Sequence, residues 1–359
     1  MVDLSLCLSI ESTELTMKRS TVKQTLTTWT FFGLCLGLLL SSNVGAAEIK
    51  VPYIKDTIKT LKLAHGLPPG SSYDLGAQRF AELVEMYTRG EVKVKVFASG
   101  QLGKEQDTAK DVQLGVLDMT LVAINNASIW YKPLDIFIMP FIFQNREHAN
   151  AVISGPVGKE LFENYRKASR NRILSVFEWG DRAIFNNTRA VNHPDDMKGI
   201  KIRVPKNAVM VDTYNAFGAT ATAIDWGELY SALQQGLADG LEGPPQGMLD
   251  MKFNDFLEYY SYINVYYGTA VVLINDKLFS GLSAENQAAI KRAGEEAGTY
   301  QRWISTVSHL NGLSKMAELG VKVNVVKDRQ AFIDRVKPIW EKYRVEIGDE
   351  WFDRVESAK

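Results

Sequence analysis

Asp196-Met-Lys-Gly-Ile200-Lys-Ile-Arg203-Val-Pro205 opens a run that continues through Phe217-Gly-Ala219, Asp225-Trp226-Gly-Glu-Leu-Tyr230-Ser-Ala-Leu-Gln-Gln-Gly236 and Asp239-Gly-Leu-Glu242-Gly243-Pro-Pro245. Ile200, Ile202 and Val204 alternate with Lys201 and Arg203, the period of two that marks a half-buried strand. Pro205 has no N–H to give to a ladder and ends it. Arg203 therefore stands where a strand gives way to a loop and then a helix, the position at which open α/β sheets hold ligands. A planar guanidinium matches both oxygens of a carboxylate, and each charge-assisted bond is worth about 1.5–3 kcal/mol. Position alone still favours a solvated or salt-bridged arginine, because arginines are mostly exposed. By the same standard Trp226 is a core aromatic, and Asp225 reads equally well as a helix cap.

Upstream, Leu61 to Ala64 reads as a strand entering the His65-Gly-Leu-Pro-Pro-Gly70 loop. Ser71 or Ser72 caps a helix with Ala77, Phe80, Leu83, Val84 and Tyr87 on its apolar face and Gly90 past its end. Val92, Val94 and Val96 form a second strand, residues 104–114 a helix and Met119 to Ala123 a third strand, which makes two βαβ units of an α/β lobe. One helical stretch is expected from Glu147 to Lys167, then a strand from Ile173 to Phe177, with Trp179-Gly-Asp-Arg182 marking a crossing into a second lobe. Ala270 to Asn275 would return to the first sheet. Ser283 to Leu319 is helix-compatible far beyond the mean length of about 12 residues, with Gly294, Gly298 and Gly312 as points of bending. Val321 to Val326 and an amphipathic segment with Phe332, Val336, Ile339 and Trp340 on one face close the chain.

Lys18, Arg19 and Lys23 precede an apolar run from Trp29 to Leu40, and Ser41 to Ala47 supplies small residues at a cleavage site. The run falls short of the roughly 18 apolar residues that a membrane span needs, so residues 17–46 read as a cleavable signal peptide, cut near Ala46 or Ala47, of an exported protein with no span in its mature chain. Residues 1–16, with Asp3, Glu11 and Glu14, sit poorly ahead of that basic segment; Met17 is the expected start. Cys7 and Cys35 both lie in the leader, which excludes a disulfide framework or thiol chemistry after cleavage. Three basic and three acidic residues leave with residues 1–46, so the net charge of -1 is unchanged and no basic excess points to nucleic acid.

Sequence patterns for catalysis are missing: no phosphate loop, dinucleotide fingerprint, H-E-x-x-H, nucleophile elbow or paired C-x-x-C occurs. Gly155-Pro-Val-Gly158-Lys159 lacks the spacing and hydroxyl of a phosphate loop. His65, His148, His193 and His309 have no ligand spacing, and no cofactor is expected. Asn126 and Asn186 begin weak Asn-x-Ser/Thr patterns.

Six segments in order carry a resemblance that spans essentially the whole mature chain: Leu63-Ala-His65-Gly, Ser99-Gly-Gln-Leu-Gly103, Leu117-Asp-Met-Thr120, Met197 to Pro205, Trp226 to Gln234 and Ala238-Asp-Gly-Leu-Glu242-Gly-Pro244. Together they resemble the solute-binding proteins of tripartite ATP-independent periplasmic (TRAP) transporters of the DctP type. The resemblance implies an α/β, two-lobed periplasmic-binding-protein-like clamshell with a long bracing helix. It would close on a small organic acid and deliver it to separate membrane permease subunits. One lobe would comprise 48–178, continued by 268–310, and the other 179–267, continued by about 320–359. Residue by residue, Arg203 matches the arginine that pairs with the ligand carboxylate, Arg182 a second arginine that assists it, and Trp226 an aromatic against the ligand body. His65 lies on a cleft-facing loop, and Trp179 precedes Arg182 at the crossover. Glu242, Tyr267 and Tyr266 are further candidates. Gly243 departs from relatives that present Asn there, and Ala123 lacks the acid found in sialic-acid binders. An aromatic or sugar acid in place of a C4-dicarboxylate is one alternative; an exported hydrolase using carboxylate pairs and a signalling ectodomain on this fold are others.

Overall fold

The computed structural model describes residues 58–358, so the expected signal peptide, its cleavage site and the first residues of the mature chain lie outside the described residues. In chain order the elements are β1 (Lys59–His65), α1 (Ser72–Tyr87), β2 (Val92–Phe97), α2 (Glu105–Leu114), β3 (Met119–Ala123), α3 (Ile124–Ala127), α4 (Arg146–Ser154), α5 (Pro156–Ser169) and β4 (Asn171–Asn186). The chain goes on through β5 (Lys201–Val204), α6 (Ala208–Ala216), β6 (Thr220–Ala223), α7 (Leu229–Gln234), β7 (Gly240–Gly243), α8 (Pro245–Asp250) and β8 (Tyr259–Asn275). It ends with α9 (Asp276–Ser280), α10 (Ala284–Glu318), β9 (Lys322–Val325), α11 (Arg329–Ile347) and α12 (Asp349–Ser357).

One sheet runs in the order β2-β1-β3-β8-β4-β7-β5-β6, with β9 beside β8. β1 is parallel to β2 and β3 on one side, and β5 is parallel to β6 and β7 on the other. Between these two parallel groups lie the antiparallel strands β4 and β8, which pair from Asn171 with Asn275 to Asn186 with Tyr259. The last part of β8 pairs with β3, whereas the last part of β4 pairs with β7 and the first part of β8 with β9. Sequence periodicity reveals only Ile173–Phe177 and Ala270–Asn275 of them. Register shifts at Ile173/Ser175, Glu178/Gly180 and Arg182/Ile184 break the period of two beyond that point. Where the strands pass from one half to the other, Gly180, at φ +108°, faces Gly268, and a Cβ on Gly268 would come within 2.7 Å of the Gly180 carbonyl oxygen. Only glycine fits this crossing.

Both faces of the sheet are covered. Leu61, Leu63, Met119, Leu121 and Val272 point into one core, Val122, Val271, Ile202 and Val204 into the other. That explains the unbroken apolar run Ala270 to Ile274 in place of alternation. α1 begins with Ser71 accepting the Asp74 N–H and buries Ala77, Phe80, Leu83 and Val84 as expected. The single helix expected over 147–167 is two, divided at Gly155, because Pro156 can start a helix but cannot continue one.

α10 is one continuous helix of 35 residues that lies against α1, β4, α8 and β9 and so braces both halves. Its glycines serve close approach instead of bending. A Cβ on Gly294 would stand 2.4 Å from the Leu174 carbonyl oxygen, and one on Gly312 would stand 2.6 Å from the Gln246 nitrogen. Gly294→Ala is expected to lower stability by about 1–3 kcal/mol, with a fall in Tm of several degrees, although alanine is by itself the better helix former by about 1 kcal/mol. Thermal unfolding of the variant checks this; a raised Tm contradicts the close packing.

Candidate functional site

The C-terminal ends of β1, β3 and β5 converge on a cavity of about 330 Å³, the location where open α/β sheets bind ligands. Its wall includes Arg203, Arg182, Trp226 and Trp179 from one group of elements and Gly66, Tyr73, Glu105, Asn125 and Asn126 from the other.

Arg203, the penultimate residue of β5, is 2% exposed. Its Nε donates to the Ile224 carbonyl oxygen at 2.8 Å, which fixes the guanidinium 5.7 Å over the Trp226 ring. Among the described residues its two terminal nitrogens have no hydrogen-bond or salt-bridge partner. Burial lowers its pKa to about 10, Glu242 opposing that shift and Arg182 adding to it. A cation so desolvated gains from an added anion. Arg182, on β4, is already matched: its Nη2 donates to Oε1 of the fully buried Glu242 at 2.6 Å, and its Nε lies against Oε2. The Arg182 guanidinium stacks 4.9 Å from the Trp179 ring, and Trp179 meets Trp226 edge-on with ring centroids 5.1 Å apart. Both indole N–H groups are buried without a partner.

At the rim, Lys104 reaches Glu228 at 2.6 Å and Asp225 at 3.2 Å, and Lys206 reaches Asp225 at 2.8 Å. Asp225 precedes a turn of helix, yet its side chain makes no cap bond, because the two lysines take it. The Lys104 pairs join the loop before α2 to the segment after β6 across the mouth, and Lys206 ties the loop after β5 to the same segment. They are partly exposed and therefore open to screening by salt.

Five expected positions do not reach the cavity wall, each for a packing reason. His65 is turned toward α1, its Nε2 3.3 Å from Asp74 Oδ1, and burial lowers its pKa although Asp74 raises it. Gly66 and Leu67 line the cavity in its place. Glu242 is consumed by Arg182. Gly243 is packed behind Trp179, where a Cβ would come within 2.3 Å of Met248 Cε, and its carbonyl oxygen accepts the Tyr260 hydroxyl at 3.0 Å. Tyr267 donates to Glu178 at 2.8 Å beside the crossing of β4 and β8, and Tyr266 lies in the core near Tyr214. Sequence reading missed Tyr73, Glu105, Asn125 and Asn126. The resemblance segment Ser99 to Gly103 stops just short of Glu105, and Asn126 stood out only as a weak sequon.

This two-sided sheet, with a buried, unmatched arginine facing a cavity of metabolite size, defines a binding protein for a small solute. Residues 63–346 match the family model described as “Bacterial extracellular solute-binding protein, family 7” (DctP), and the chain belongs to that family, a group of TRAP-type periplasmic receptors and not of enzymes. The exported-hydrolase alternative falls with that membership. The chain is 28% identical over 327 residues to the C4-dicarboxylate-binding periplasmic protein DctP of Rhodobacter capsulatus, covering 90% of this chain and 97% of the relative. It is 30% identical over 280 residues to the 2,3-diketo-L-gulonate-binding periplasmic protein YiaO of Escherichia coli, covering 77% and 84%. A TRAP periplasmic solute-binding protein from Polaromonas bound to D-erythronate superposes with a TM-score of 0.81 at 29% identity, covering 84% of this chain and 99% of that one. The two-lobed binding-protein fold is shared. Among the described residues no helix is long and apolar enough to cross a membrane.

Glu242→Gln is expected to leave Arg182 buried without its counter-charge and to cost about 3–5 kcal/mol of stability. Guanidinium unfolding measures it; a loss below about 1 kcal/mol contradicts a structural role for the pair.

Proposed function

We propose that this protein captures a small organic acid in the cavity described above and hands it to the membrane subunits of a TRAP permease. The observation that carries this reading is the Arg203 guanidinium, buried, at the cavity wall, held at Nε by Ile224 and with no partner for its two terminal nitrogens among the described residues. It fixes the carboxylate. Trp226 and Trp179 wall the ligand body, and Arg182, paired with Glu242 through Nε and Nη2, keeps its Nη1 donors to assist. The lobes are 48–178 with 268–310 and 179–267 with about 320–359. They close about the Gly180 and Gly268 crossing, and the rim pairs of Lys104 with Asp225 and Glu228 form as they meet. Export follows from cleavage of residues 17–46 near Ala46 or Ala47.

A thermal-shift screen against organic acids tests the reading. A bound acid at 100 times its Kd adds about 2.7 kcal/mol of stability. Arg203→Ala is expected to abolish the shift for every acid that stabilises the wild type. An unchanged affinity in the variant contradicts the clamp.

A further inference from the structure

α10 packs one face into the protein, where Ile290, Ala297, Gln301, Ser305, Gly312 and Met316 are buried. On its opposite face Tyr300, Trp303, Val307 and Leu310 stand exposed among the described residues, Trp303 to 61% and Leu310 to 64%. They recur in steps of three, four and three, the spacing of a coiled-coil seam, and so form one continuous apolar stripe. Tyr300 and Trp303 already lie together, their ring centroids 6.5 Å apart. Arg302, next to Trp303 in the chain, is drawn off the stripe: its Nη1 donates to the Val176 carbonyl oxygen of β4 at 3.1 Å. Single exposed apolar residues are ordinary on a surface, whereas four aligned along a helix mark a contact face.

The order of the stripe is self-complementary. A two-fold axis level with Ser305 sets Tyr300 against the partner's Leu310 and Trp303 against the partner's Val307, so each layer pairs a ring with an aliphatic side chain. Thr299 then stands level with the partner's Asn311. Beyond the stripe, Arg292 stands level with the partner's Glu318 and Glu295 with the partner's Lys315, opposite charges at both ends. A parallel pairing would instead bring each of these charges level with its own copy. Lys291, Arg292 and Lys315 balance Glu295, Glu296 and Glu318, so the helix lacks the Lys/Arg-rich polar face that draws an amphipathic helix to an anionic bilayer.

We infer that this face of α10 is a homodimer interface, on which a second copy of the chain lays its own α10 antiparallel about a two-fold axis level with Ser305. Two such faces with their polar flanks bury on the order of 1,000 Å², the scale of a weak, reversible association and not of an obligate dimer. No residue of α10 lines the cavity, so both copies keep their binding sites, and the inference stands or falls apart from the role of Arg203.

Sedimentation equilibrium of the purified protein from about 1 to 200 μM tests this, with a dimer expected at a Kd on the order of 10 μM. Trp303→Glu and Leu310→Lys are each expected to raise that Kd about 10-fold or more while leaving Tm and any shift produced by an organic acid as in the wild type. Tyr300→Glu is expected to weaken the dimer as well, and an equimolar mixture with Leu310→Lys to restore association, because positions 300 and 310 face each other only in the antiparallel arrangement. A wild type that stays monomeric at 200 μM overturns the inference, whether or not it binds vesicles of phosphatidylethanolamine and phosphatidylglycerol. A dimer that survives folded Trp303→Glu and Leu310→Lys overturns it too, since the interface then lies elsewhere. A mixture that associates no better than its two components overturns the antiparallel register.

Discussion

A guanidinium taken out of water needs an anion, and the way this chain meets that need twice, differently, organises the site. Arg182 and Arg203 enter the same cavity from β4 and β5. Glu242 on β7, the strand between them, gives its carboxylate to Arg182. Arg203 receives one carbonyl oxygen, from Ile224, and is otherwise left facing the cavity. The protein thereby carries a positive charge that is costly in isolation and favourable with a ligand, so part of the binding energy is set up during folding. Pro205 ends β5 two residues after Arg203, and the Trp226 ring beneath the guanidinium restricts where it can go.

The sheet places this charge at a mechanical junction. β4 and β8 belong to both halves, and Gly180 and Gly268 face each other where they cross. Trp179 and Arg182 flank that crossing on β4, so two wall residues ride on the strand that links the halves. α10 spans the back through glycines that let its backbone touch β4 and α8. Closure about such a junction needs few changes of backbone angle and leaves each half's core intact.

Elements that bury one face, or end in a cap, were legible in the sequence: α1 with its Ser71 cap, the β1-α1-β2 and β2-α2-β3 units, β5, and α11 with Phe332 and Val336 buried. The two longest strands were legible only in part, since bulges move their side chains off a strict period of two. The glycines of α10 look like breaks in a sequence because nothing local announces the strand packed against them. At the site, Arg203, Arg182, Trp226 and Trp179 were found because a strand end or a family segment marks them. Glu105, Asn125 and Asn126 were missed for the opposite reason. Each sits in an ordinary helix start, and only the convergence of β1, β3 and β5 shows that they face the arginine. His65 and Gly243 illustrate the reverse case: the family resemblance put one on a cleft-facing loop and the other where relatives present Asn, but Asp74 and Met248 claim them for the interior.

A crystal structure grown with the acid that gives the largest thermal shift tests the central claim most directly. The account places the ligand carboxylate on both terminal nitrogens of Arg203, with Arg182 still paired to Glu242 and Trp226 against the ligand body. A carboxylate held instead by Lys104 and Lys206 at the rim, with the Arg203 guanidinium untouched, would contradict it.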